Sequence, residues 1–130
     1  MPAIEISISE LLDRLSILEV KLVHLKSATQ KQYVRVEIGN LRKQADDILE
    51  NSELKLCYDE VLRLNQAMWN AMERLYTWEG PRDTEFQEIV IAIVEVNKER
   101  AIVKRQVDVL VGSSAREAKS FFEDDPPALK

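Results

Sequence analysis

Residues 7–26 read SISELLDRLSILEVKLVHLK. Leucines at 11, 15, 18, 22 and 25 recur every four or three residues, which lines them along one stripe of a helix and does not fit the alternation of a strand. Ser7, followed three residues later by Glu10, makes a capping-box pattern ahead of that stripe, so a first helix is predicted to begin near Ile8. The leucine seam must then be covered by other elements.

The same spacing continues outward. Val34, Ile38, Leu41, Ala45 and Ile48 form a second seam after a polar break around Ser27 and Thr29 that is long enough only for a tight reversal, which predicts a helical hairpin. Beyond Asn51 and Ser52, a third seam runs through Leu54, Cys57, Val61, Leu64, Met68, Ala71 and Leu75. Gly80 and Pro81 stop it, and Thr84 with Gln87 offers a new capping box. A fourth helix is predicted from Thr84 to Gly112 on the seam Ile89, Ile93, Val96, Val103, Val107 and Leu110. Its β-branched stretch EIVIAIVEV also suits a buried strand, but length and spacing favour helix. The stretch SSAREAKSFFE is read as a short C-terminal helix capped by Ser113 or Ser114, with Phe121 and Phe122 covering one bundle end. IEISI, residues 4–8, reads as a short extended piece without a partner strand.

The predicted fold is therefore all-α: a bundle of four long antiparallel helices, as two hairpins, with a short C-terminal helix. It forms a single domain over residues 1–123, with 124–130 (DDPPALK closing the chain) as a loose tail. Composition agrees. The 130-residue chain has three glycines and four prolines, about 5% against a usual share of roughly 12%, so tight turns are few and segments long. Apolar residues make up 45%, enough for a core.

Charge excludes some function classes. The net charge of −5 is spread through the chain with lysines and arginines interleaved, so no basic stripe exists to neutralise nucleic-acid phosphates. No apolar run approaches the roughly 18 residues of a membrane span, and the acidic start lacks a signal peptide's basic flank. With Cys57 as the only cysteine, neither an internal disulfide nor a thiolate zinc site is available, and a cytoplasmic location is expected. Cys57 itself lies on a seam and reads as an inert thiol. His24, the sole histidine, reads as a seam or surface residue. No metal ligand set, cofactor or catalytic residue is assigned.

The informative residues interrupt the seams, because a buried charge must be paired or used. Arg100 falls between Val96 and Val103, where the pattern asks for an apolar side chain, with Asn97 and Lys104 on an adjoining stripe. On the third helix Asn65, Trp69 and Glu73 stand at successive steps of four, and the first helix contributes Glu10 and Asp13, with Glu19 beside Lys21 farther along. One reading makes these an internal salt-bridge network that sets helix register. Another makes Arg100, Lys104, Asn97 and Asn65 the receptors of a small anion, with Trp69 as a stacking wall. Paired acids, Glu10 with Asp13 and Glu85 with Glu88, are similar to the magnesium-binding carboxylates of all-helical nucleotide pyrophosphatases, although acids in a helix's first turn are favoured by its dipole alone.

Three stretches, ISELLDRLSILEVK (8–21), NQAMWNAMERLYTWE (65–79) and VNKERAIVKRQVDVLVGSSAREAKSFFE (96–123), together resemble a family of small helical proteins of unknown function from bacteria and some phages. The resemblance implies an all-helical single domain. The matching polar positions are Glu10, Asp13, Glu19 and Lys21, then Asn65, Trp69 and Glu73, then Asn97, Arg100, Lys104, Glu117, Lys119 and Ser120. Phe121 stands where the family tends to have tyrosine.

The expected function is a non-catalytic binding or assembly module. Its rival is a small-anion site or a metal-dependent nucleotide-processing enzyme in the bundle interior. Apolar and aromatic residues beside the seams, Tyr33, Val36 and Leu49 on the second helix and Tyr58, Leu62, Met72 and Tyr76 on the third, call for a second interface, so a homodimer or another protein partner is expected.

Overall fold

The computed structural model describes the backbone of residues 6–122 and the side chains of residues 6–112. Four helices follow one another: α1 (Ile8–His24), α2 (Ala28–Ile48), α3 (Ser52–Tyr76) and α4 (Thr84–Phe122). Each start has a local cause. Ser7 Oγ accepts from the Glu10 amide, Ser27 Oγ from Gln30, and Asn51 Oδ1 from both Glu53 and Leu54, so each occupies otherwise unpaired first-turn donors.

α1 is the hub, packing against each of the other three helices. Its Leu11, Leu12 and Leu15 meet Ala45 of α2, Leu54 and Tyr58 of α3 and Val107 of α4 in the main core. A second cluster joins Val61 and Leu64 of α3 to Val103 of α4. All of these but Leu12 and Tyr58 lie on the predicted seams, and α3 with α4 makes the most extensive helix pair. Arg63 meets Glu99 and Arg74 meets Glu85, so α3 and α4 run in opposite directions. Between them the Trp78 indole donates to the Pro81 carbonyl at 3.1 Å, and a side chain at Gly80 would stand 3.0 Å from the Trp78 ring.

Lengths decide what is left uncovered. With 17 residues against 39, α1 spans about 25 Å and α4 about 58 Å at ~1.5 Å per residue, so α1 can cover only part of its neighbour.

Three sequence expectations are corrected. The short C-terminal helix is not separate: α4 continues through Gly112, Ser113 and Ser114 to Phe122. A glycine ends a helix most readily in the left-handed conformation, and no glycine among the described residues has positive φ. The cap of α4 is Asp83, whose carboxylate accepts from the Glu85 amide at 3.2 Å, and not Thr84, which is already helical. Tyr58 is buried in the main core rather than available to a partner, and Leu49 and Leu62 pack against that core as well. The expected docking of Phe121 and Phe122 and the tail at 124–130 lie outside the described side chains and residues, as do residues 4 and 5 of the 4–8 stretch, whose Ser7 caps α1 and whose Ile8 opens it.

Candidate functional site

Where α1, α3 and α4 meet, Asp13 is buried and almost fully hydrogen-bonded. α1 is buried on more than one side, and Asp13 belongs with Ser9, Ser16 and Val20 to a second buried face across the helix from the leucine stripe. Arg100 reaches both carboxylate oxygens through one terminal nitrogen, at 3.1 and 3.0 Å. Asn65 Nδ2 donates at 3.0 Å and Lys104 Nζ at 3.3 Å. Lys104 also meets Glu10 at 2.5 Å, and Arg100 donates to Asn97 at 3.2 Å. Side-chain exposure is 7% for Asp13, 19% for Arg100 and 25% for Lys104, so the ion pairs form in a poorly solvated setting.

The electrostatics follow from that setting. Burial by itself raises the Asp13 carboxyl, but the hydrogen bonds from Asn65 and Arg100 and the charges of Arg100 and Lys104 outweigh it and hold the group below its usual value. Burial likewise opposes the Lys104 ammonium, while Glu10 and Asp13 stabilise it and leave it above the ordinary lysine value. Two cations face two carboxylates, so the cluster carries no net charge. Arg100 Nε is buried without a hydrogen-bond partner, a residual cost of this packing.

Of the residues singled out in the sequence, Glu10, Asp13, Asn65, Asn97, Arg100 and Lys104 come together in this one cluster. Trp69 and Glu73 do not join it. They line an adjacent cavity of about 450 Å³ whose walls include Ile17, Met68, Met72 and Tyr76 and which Asn65 and Arg100 also border. Trp69 stacks on His24 with ring centroids 4.7 Å apart, and His24 Nε2 lies 2.9 Å from the Gln66 amide nitrogen.

Sequence reasoning missed one member of this cluster. Ser16 is fully buried, donates to the Asp13 backbone carbonyl at 2.6 Å and accepts from Asn65 at 2.6 Å. It lies one turn after the buried Leu12, where a small hydroxyl leaves no mark on the apolar pattern. Glu19 was placed beside Lys21, yet it bonds the Arg42 guanidinium of α2 and the Tyr58 hydroxyl of α3. This second polar knot ties three helices together. Burial and the hydrogen bond to Glu19 push the Tyr58 hydroxyl well above the usual phenol range, so it acts there as a fixed donor. Tyr58→Phe should leave the Glu19–Arg42 pair in place and cost about 1 kcal/mol in urea unfolding, the net worth of one hydrogen bond. An unchanged midpoint would remove Tyr58 from the knot.

Cys57 is partly buried on the α3–α4 side, where burial, followed by the charge of Glu53, pushes its thiol up. Among the described residues, no three His, Cys, Asp or Glu side chains gather as a metal-binding group, and no helix is long and apolar enough to cross a membrane. The chain matches no family model, no curated protein and no solved structure.

Proposed function

We propose that this bundle, four helices alternating in direction, is a non-catalytic cytoplasmic binding and assembly module that pairs with a second copy of itself. One observation carries the reading: a line of apolar side chains on the outer side of α4. Ile91, Val94, Ile102 and Val109 are all exposed over the 19 residues 91–109, about 27 Å at ~1.5 Å per residue, with the exposed Glu95–Lys98 pair between them on the same side. Beside them Leu56 of α3 is 69% exposed, and with Cys57, Ile102, Val109 and Leu110 it borders a shallow apolar groove. Isolated exposed apolar residues are ordinary, but a line of this length along one helix has the form of a helix–helix seam that lacks its partner. A second copy offers the same line, and two-fold pairing sets each strip on the other.

The polar cluster supports the non-catalytic part. Arg100 and Lys104 are bonded to Asp13 and Glu10, so neither is held ready for an incoming anion. An internal network that sets helix register requires nothing more.

Sedimentation equilibrium tests the pairing. The wild-type chain is expected to dimerise at micromolar concentrations. Ile102→Glu is expected to weaken the dimer by more than about tenfold, since a buried isoleucine is worth roughly 1.5–3 kcal/mol. Circular dichroism should be unchanged because Ile102 is exposed in the single chain. A monomeric wild type at high micromolar concentration would sink the self-association reading.

A further inference from the structure

The cavity of about 450 Å³ between α1, α3 and α4 falls within the size range of small-molecule sites, roughly 300–1,000 Å³, and it opens where α1 fails to cover the α3–α4 pair. Its walls are mostly apolar, and two of them, Met68 and Met72, are flexible thioethers that adapt to a ligand's shape. The charges on its lining are unequal. Arg100 borders the cavity, but both oxygens of Asp13 already receive its guanidinium. Glu73 also borders it, and among the described residues no lysine, arginine or histidine lies within ion-pair distance of its carboxylate. Tyr76 and the side of Trp69 that His24 leaves uncovered add aromatic surface, which attracts cations.

We propose that this cavity binds a small organic cation, an apolar ring or chain carrying a protonated amine, with the amine at Glu73 and the apolar body between Met68, Met72 and Trp69. An anion placed there would meet an already neutralised arginine and an unbalanced carboxylate. The site therefore takes the opposite charge from the one that Arg100 and Lys104 suggest in the sequence. It is independent of the α4 surface assigned to self-association, and the two can fail separately.

Three probes with one body and three head groups test it: 4-phenylbutylamine, 4-phenylbutanol and 4-phenylbutyrate, titrated into the full chain by calorimetry at fixed ionic strength. The amine is expected to bind about five- to tenfold more tightly than the alcohol, as a cation–π contact and a partly exposed ion pair together allow, and the carboxylate more weakly than either. Trp69 fluorescence should respond to the amine. Glu73→Gln, at an exposed position that leaves the fold intact, should reduce the amine's advantage over the alcohol to about twofold or less while leaving alcohol binding unchanged. The proposal is overturned by a carboxylate that binds as tightly as the amine, by an amine preference that survives Glu73→Gln, or by no saturable binding of the amine up to about 10 mM.

Discussion

Asp13→Asn is expected to lower the stability of the folded chain by about 2–4 kcal/mol, because it leaves Arg100 and Lys104 in a poorly solvated place without their shared counter-charge. The figure lies toward the low side of what breaking a buried ion pair costs, since Lys104 keeps Glu10 and both cations retain some solvent. In thermal unfolding the loss should appear as a fall of roughly 10 °C for a domain of this size. Replacing Asp13, Arg100 and Lys104 together by leucine and methionines should be far milder, within about 1–2 kcal/mol of wild type, because the one charge left without its partner, Glu10, is 57% exposed to solvent. A single substitution that costs under about 0.5 kcal/mol would show that the cluster does not hold the helices.

The same carboxylate gives the stability a definite pH dependence. Its folded-state value lies below the unfolded value of 3.8, so its contribution is complete well above that pH. The contribution is lost as the pH falls below 3.8 and through the folded value, where the native state must take up the proton. Urea midpoints measured from neutral pH down to about 3 should decline more steeply for wild type than for Asp13→Asn at the acid end. Parallel curves would mean that the ion pairs contribute nothing to the acid limb.

The second large effect belongs to the leucine stripe. Leu15 has no exposed surface and stands in the main core with Leu12, Ala45, Tyr58 and Val107. Leu15→Ala should cost about 2–5 kcal/mol, the spread reflecting how far four helices can close on the void. Val23, on the same helix but 73% exposed, should tolerate alanine within about 0.5 kcal/mol. Guanidinium unfolding of the pair gives the contrast directly, with unchanged slopes expected for both. Equal costs at the two positions would contradict the placement of the α1 seam.

Much of this was legible locally. The starts of α1, α2 and α3 follow from Ser7, Ser27 and Asn51, because a cap acts within three residues. Arg100 was legible as a buried charge because it breaks a seven-residue rhythm, whereas Lys104 entered from the adjoining stripe, Asn65 from its steps of four with Trp69 and Glu73, and Asp13 as an acid near the start of α1. Glu73 stands apart from the ion-pair cluster, on the cavity that Asn65 and Arg100 also border. It shares a helix face with Asn65 and Trp69, but two turns carry it past the end of α1, where no buried cation waits. Ser16 escaped because a small hydroxyl on an apolar side gives no pattern to break. The continuous α4 escaped because Gly112 and two serines look like punctuation, although a helix held by its neighbours can absorb them at a cost of about 1 kcal/mol for the glycine.

The sequence by itself determined most of the seams, the cap of α1 and the need for a counter-charge to Arg100, all of which are set by neighbours within a turn or two of helix. Only the tertiary structure decided that Asp13 supplies that charge, that Glu19 joins Arg42 and Tyr58, and that Glu73 is left facing an apolar cavity. These partners lie up to 91 residues apart in the pairs that Asp13 makes. Whether two such groups meet depends on the rotation and axial offset of each helix, and those are settled jointly by the packing of every seam at once.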